Sequence, residues 1–376
     1  MSAPASVPAA SDTLVYVGTY TGRQSKGIYA YRLEAKSAAA GEAVLLPLGL
    51  AVETPSPSFL VVEPKRRLVF AANEISSFEG KPTGAVSAFS VDSATGKLTL
   101  INQQPSMGTG PCHVALDRDG KFLFVANYNS GSFAVLPVAA DGRLGTPTSI
   151  QNVGKSANAE RQSGPHAHGI TFDPANRFVF IVDLGLDQIL GFRFDATTGK
   201  LTPTQPAFAS VKPGAGARHL VFRPDGKFAY VMNELDSSVT VFSYDAAAGK
   251  LTEVQSASSL PAGTDTKSSG AEIAVHPSGK WLYASNRGHD SVAQFAIEPQ
   301  KGTINFVTAL PSGGKTPRHF AFLPSGKQLA IANQNSNSIL LSRVDDATGR
   351  LQPGGATVEV PSPVCVVFLP PSAGAR

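Results

Sequence analysis

Arginine, histidine and glutamate crowd the two ends of a short segment, ARHLVFRPDGKFAYVMNE at residues 217–234, which begins on Arg218-His219 and finishes on Asn233-Glu234. Fixed cations of this kind suit the holding of an anion, and carboxylates and imidazoles suit the movement of protons. Between the polar ends lie two apolar runs rich in strand formers, joined by Pro224-Asp225-Gly226, a sequence that turns the chain into an antiparallel hairpin. With the turn at one end of the hairpin, the two polar pairs are expected to meet at the other.

Five further segments repeat the pattern: SPSFLVVEPKRRLVFAANE (56–74), GPCHVALDRDGKFLFVANY (110–128), HAHGITFDPANRFVFIVDL (166–184), GAEIAVHPSGKWLYASNR (270–287) and PRHFAFLPSGKQLAIANQ (317–334). Their second strands close on Asn73, Asn127, Asp183, Asn233, Asn286 and Asn333, a spacing of roughly 50 residues that suits propeller blades of four strands each. SPVCVVFLP (362–370) reads as a first strand without a second, and LVYVGTY (14–20) as a second without a first. Joined, they supply a seventh unit. The expected fold is all-β: a seven-bladed β-propeller of four-stranded blades, with the ring closed by the N-terminal strand. Runs such as SVTVFSYDAAAGKLT (238–252) and SVAQFAIEPQKGTIN (291–305) give the outer strands, so the recurring D-x-x-x-G-K-L pattern at 92–98 and 195–201 reads as a structural turn.

Residues 13–371 are expected to form this single domain, with 1–12 a disordered Ala/Pro/Ser-rich tail and 372–376 a short C-terminal tail. The loops at 76–83 and 154–164 are the longest excursions, and such loops often carry function. Composition agrees with a turn-rich β protein, since 36 Gly and 28 Pro punctuate a chain that is 42% hydrophobic. Charged residues make up only 16%, and the net charge of +4 comes without a Lys/Arg run, which argues against nucleic acid and for a small anion as partner. Cys112 and Cys365 sit in apolar runs and read as buried thiols, compatible with a reducing compartment and a cytoplasmic location. No leader-like apolar stretch opens the chain, none is long enough to span a membrane, and a monomer is expected.

Aligning the hairpins on their turns places Cys112, His168, Arg218, Ala271 and Arg318 in one column at the start of the first strands. The next column holds His113, Gly169, His219, Glu272 and His319, and Glu74, Tyr128, Leu184, Glu234, Arg287 and Gln334 follow the second strands. Chemistry varies in these columns while the strands around them repeat, as a pocket for an anionic, carbonyl-bearing substrate requires. Structural readings stand beside this one. His113, His219 and His319 recur like scaffold that stitches blades, the strand-end asparagines read as turn formers, and Glu234 and Glu272 have nearby arginines to pair with for stability alone. His166-Ala167-His168 has the spacing of a metal pair, but no third ligand accompanies it and no metal is assigned. No GxSxG elbow points to a serine nucleophile.

The same residues carry a family likeness. VGTYT (17–21), GPCHVALDRDGKFLFVANYNSGS (110–132), PHAHGITFDP (165–174), DLGLD (183–187), PGAGARH (213–219), NEL (233–235), SGAEIAVHPSGKWLYASNRG (269–288) and TPRHFAFLPSGKQLAIANQ (316–334) together resemble the seven-bladed propeller lactonases, over about residues 14–370. That family includes the propeller-type 6-phosphogluconolactonase and the carboxymuconate-lactonizing enzyme. The resemblance implies a catalytic set of His168, Arg218, Glu234 and Arg287, with His166, Glu272, Arg318 and Glu74 binding substrate. It also implies a place in carbohydrate metabolism, in the pentose phosphate pathway. One departure is Ala217, where the family pattern implies proline. Hydrolysis of a sugar-acid lactone then needs a base for water, either Glu234 or His168, and arginines for the developing oxyanion. No cofactor is needed. Replacing Glu234 by Gln is expected to abolish turnover at little cost in stability. A muconate cycloisomerase using the same groups in reverse, and a non-catalytic binding platform, are the alternatives.

Overall fold

The computed structural model describes residues 13–37 and 42–371; the tails expected at 1–12 and 372–376 lie outside the described residues. Seven four-stranded antiparallel sheets are present. We number the blades in chain order: blade 1 combines Pro363–Leu369 with three N-terminal strands, and blades 2 to 7 begin at Pro57, Pro111, Ala167, Ala217, Ser269 and Pro317. The ring closes as the sequence suggests. Leu14–Thr19 lies between Pro363–Leu369 and Gly27–Ser37, with Leu14 opposite Leu369 and Gly18 opposite Cys365.

The second strands are the most deeply buried. Leu14–Thr19, Leu68–Asn73, Phe122–Asn127, Phe178–Asp183, Phe228–Asn233 and Gln328–Asn333 are buried at every position. A strand covered on both faces reads as a continuous apolar run without alternation, which is how these segments appear in the sequence. The core is correspondingly divided into seven clusters, one at each boundary between neighbouring blades, including that between blades 7 and 1. Side chains such as Phe178 and Phe242 are 1% exposed, and each burial of this size contributes about 2 kcal/mol.

The D-x-x-x-G-K-L turns join the outer strands and lock neighbouring blades. Asp195 Oδ1 accepts the Thr197 N–H at 2.8 Å, and Asp245 Oδ1 accepts that of Ala247 at 2.9 Å. Gly249 closes its turn at φ +68°, and a Cβ there would lie 2.3 Å from the Phe178 ring of the preceding blade. Glycine is required twice over, by conformation and by contact. At equivalent turns, buried Tyr16 and Tyr230 donate to the carbonyls of Gly96 and Gly302 in the next blade, at 3.2 and 3.1 Å.

The strand-end asparagines do more than form turns. Asn127, Asn286 and Asn333 are fully buried, and their amides donate at 2.9 Å to the carbonyls of Ser106, Ser259 and Ser312, each just past the outer strand of the preceding blade. Asn73 donates likewise to the Thr54 hydroxyl and the Pro55 carbonyl, and Asp183 takes the reverse role by accepting Asn152 at 2.7 Å. Asn233 alone among the five asparagines turns inward, to Ser238 and Thr240 of its own blade. A buried amide must find partners, and here the nearest unsatisfied ones belong to the neighbouring blade.

Candidate active site

Each first strand carries an irregularity at the same place. Register shifts occur between Pro57 and Phe59, Pro111 and His113, Ala167 and Gly169, Ala217 and His219, and Pro317 and His319. Blade 1 skips Val364, and blade 6 sets Ala271 and Glu272 against Ser285, whose hydroxyl accepts the Glu272 N–H at 2.9 Å. The extra residue of each bulge is the column that holds Cys112, His168, Arg218 and Arg318. A bulge frees its residue from the ladder and re-aims its side chain. Ala217 stands opposite Asn233, as Pro57, Pro111 and Pro317 stand opposite Asn73, Asn127 and Asn333, so the departure from proline leaves Arg218 in place.

Glu234 is the centre of the arrangement. It follows the second strand of blade 5, is 5% exposed, and receives three arginines: Arg218 Nε at 3.1 Å and Arg287 Nη2 at 2.9 Å on Oε2, and Arg161 Nη2 at 2.8 Å on Oε1. Arg218 Nη1 also donates to the Ala271 carbonyl at 2.5 Å, and Arg287 Nη2 to that of Gly270 at 2.8 Å. Burial by itself pushes the Glu234 carboxyl up, but Arg287, Arg218 and Arg161 more than offset it and hold the carboxyl down at about 2. Burial also lowers Arg287, to about 10, despite the attraction of Glu234. Its Nε is buried without a partner among the described residues, an unsatisfied donor in the site.

His168 is buried at the bulge of blade 4. Burial first, then the positive charge of Arg218, pushes its imidazole well below the ordinary histidine range, so it is neutral at physiological pH. Its Nδ1 has no partner among the described residues. His166 and His168 both flank Tyr128, the first stacked at 4.6 Å between ring centroids and the second edge-on at 5.6 Å. His166 Nδ1 lies 2.8 Å from the Tyr128 carbonyl, which makes that nitrogen the donor. Among the described residues no group of three or more His, Cys, Asp or Glu is placed to hold a metal ion.

The remaining sequence candidates form two neighbouring groups. Arg318 Nη2 donates to Tyr20 Oη at 2.7 Å, and Tyr20 in turn donates to Glu74 Oε2 at 2.9 Å, linking blades 7, 1 and 2. Glu272 lies deeper, 3.1 Å from His219 Nδ1 and 3.5 Å from His319 Nε2, and so ties blade 6 to both neighbours. His319 Nδ1 accepts the Val366 N–H at 3.3 Å, which carries the stitching on to blade 1. His113, His219 and Phe59 pack their rings together in the channel, with His113 and His219 centroids 5.1 Å apart. The scaffold reading of His219 and His319 therefore fits their bonds. Glu74, Arg218, Glu272 and Arg318 line one narrow cavity in the channel with Cys112.

Arg161, Tyr20 and Tyr128 were not among the sequence candidates. Tyr128 stands in the column that contains Glu234 and Arg287, and Tyr20 in the VGTYT segment, so both had a positional signal; Arg161 lies in the 154–164 loop, an excursion the sequence marked without singling out a residue in it.

Fold and site define a seven-bladed propeller whose channel mouth carries a guanidinium-clamped carboxylate beside a buried neutral imidazole. The sequence model described as Lactonase, 7-bladed beta-propeller, matches residues 14–368, and the chain belongs to this family. A Bacillus subtilis protein named 6-phosphogluconolactonase is 37% identical over 355 residues, 94% of this chain and 97% of that one. A Formosa agariphila protein of the same name is 34% identical over 346 residues, 90% of this chain and 94% of that one. Among solved structures, the Pseudomonas aeruginosa periplasmic gluconolactonase matches with a TM-score of 0.87 and 34% identity, covering 95% of this chain and 99% of that one.

Proposed function

We propose that the chain is a lactone hydrolase acting on a sugar-acid lactone, with 6-phosphogluconolactone the leading substrate. The observation that carries this reading is the convergence of Arg161, Arg218 and Arg287 on the buried Glu234, within 3.1 Å. The names of the Bacillus and Formosa relatives support hydrolysis over cyclisation.

In this mechanism His168 is the base. A carboxyl held at about 2 is a feeble proton acceptor, whereas His168 is neutral and has an unpartnered ring nitrogen. An anionic substrate would offset the arginine charges that depress it, raising its basicity on binding. His168 takes a proton from water as the oxygen adds to the lactone carbonyl. The tetrahedral oxyanion is held by Arg287, whose Nε has no partner among the described residues, and the proton passes from His168 to the ring oxygen as the C–O bond breaks. Glu234 fixes the arginine planes, and Arg218 supplies further positive field. Arg318, Glu74 and His166 bind the sugar hydroxyls, and Glu272 acts from below by holding His219 and His319.

The reading includes a cytoplasmic monomer that needs no cofactor. Cell fractionation and size-exclusion chromatography check the first two points; the Pseudomonas relative is named periplasmic. The primary test is acid release from freshly made 6-phosphogluconolactone and from gluconolactone by purified protein. Acceleration well above spontaneous opening supports the hydrolase, and absence of acceleration for both overturns it.

A further inference from the structure

Arg161 differs from the other two arginines on Glu234 in where it comes from and how it is held. It sits on the loop at 154–164, between Thr148–Gln151 of blade 3 and Ala167–Phe172 of blade 4. The loop is a built platform. Gln162, 0% exposed, donates its side-chain amide to the Leu184 carbonyl at 2.8 Å and accepts the Asn158 N–H at 2.9 Å. Asn158 Oδ1 in turn accepts the backbone N–H groups of Glu160 and Arg161, both at 3.1 Å. The backbone that carries Arg161 is therefore fixed over the mouth.

Its side chain is 43% exposed, against 14% for Arg287 and 3% for Arg218, so it is the outermost guanidinium of the three. Both of its contacts, to Glu234 Oε1 and to Tyr128 Oη at 2.9 Å, are made by Nη2. Nε and Nη1 have no partner among the described residues, which leaves an open edge of N–H donors suited to phosphate oxygens. The field favours an anion there as well. Four guanidiniums, of Arg161, Arg218, Arg287 and Arg318, face three carboxylates, of Glu74, Glu234 and Glu272, so one positive charge is in surplus. Tyr128 links this outer station to the inner one, with its hydroxyl on Arg161 and its ring against His168. Anion and carbonyl would thus be held one aromatic ring apart, and a sugar lactone phosphorylated on its exocyclic carbon spans a comparable length.

We infer that Arg161 reads the phosphate of the substrate and sets the preference for phosphorylated over unphosphorylated lactone. The inference rests on the hydrolase reading for its substrate class. The test compares wild type, Arg161→Ala and Arg161→Lys on 6-phosphogluconolactone and gluconolactone. The ratio of kcat/KM for the two should fall by roughly ten- to a hundredfold in Arg161→Ala, mostly through KM for the phosphorylated lactone, with partial recovery in Arg161→Lys. Equal losses on both substrates, or no change in the ratio, would overturn it. Calorimetric binding of 6-phosphogluconate and gluconate provides a readout independent of turnover. If the wild type accelerates neither lactone yet binds the phosphorylated acid more tightly, and loses that preference in Arg161→Ala, the hydrolase reading fails and the anion site stands; an unchanged preference overturns the site.

Discussion

Arg287 Nη2 and Glu234 Oε2 meet at 2.9 Å across the boundary between blades 6 and 5, with the carboxylate buried and the guanidinium partly so. Neither residue lies within a helix or a dedicated catalytic loop. Each stands at the end of a second strand, and the pair exists because two successive hairpins end on the same face of the ring.

Glu234→Gln should reduce turnover by at least about a hundredfold, since the arginine planes lose their common anchor. The sequence suggested little cost in stability, and the structure revises that. Removing the charge leaves Arg218 and Arg287 buried without their counter-ion, a loss of about 3 kcal/mol. Chemical denaturation alongside kinetics checks both effects, and a fully active variant would remove Glu234 from the site.

His168→Gln should lower kcat by about a hundredfold to ten-thousandfold. In the wild type, protonation of His168 abolishes base catalysis. Because its imidazole is pushed well below 6.5, kcat/KM should stay flat as pH falls through 6.5 and decline only at lower pH. An acid limb centred at or above 6.5 would assign the base elsewhere.

Acid should destabilise the fold earlier than carboxylate titration alone would allow. His113, His168, His219 and His319 are all depressed, chiefly by burial, the last to about 4. Above about pH 6.5 both folded and unfolded forms are neutral and stability is complete. Below it the unfolded chain takes up protons that the folded one refuses, costing about 1.4 kcal/mol per pH unit for each histidine until the folded form is protonated too. Glu234 adds to the loss between about 4.5 and 2. Thermal melts at pH 7.5, 6.5, 5.5 and 4.5 should show a steep decline below 6.5, and a flat series down to 5.5 would contradict it.

Chelation with EDTA should leave turnover unchanged. His166 and His168 both pack against Tyr128, one stacked on the ring and one at its edge, with no third donor arranged around them among the described residues. Loss of activity on chelation, restored by a divalent cation, would overturn this.

Much of the architecture was legible because blades 2 to 7 repeat a turn of Pro, Gly or Asn between apolar strands, and because Leu14–Thr19 and Pro363–Leu369 each lacked the partner the other supplies. The columns containing His168, Arg218, Glu234 and Arg287 were legible for the same reason, since repetition makes an unusual residue visible. The bulges were not, because a register shift at Arg218 leaves no mark in the order of residues. Nor was the role of Asn127, whose turn-forming habit concealed a bond to the preceding blade. Arg161 escaped because its loop was marked only as a long excursion, with no aligned column to single out one residue within it.

The pairing of Leu14–Thr19 with Pro363–Leu369 also imposes an order of events on synthesis. Leu14–Thr19 leaves the ribosome long before Pro363–Leu369, its inner partner, so an exposed, unpaired edge persists while the intervening blades are made. Cys365, fully buried beside the Leu60 backbone once the ring has shut, records the moment of closure. Its protection from a thiol-reactive dye during refolding would time the last stitch of the circle.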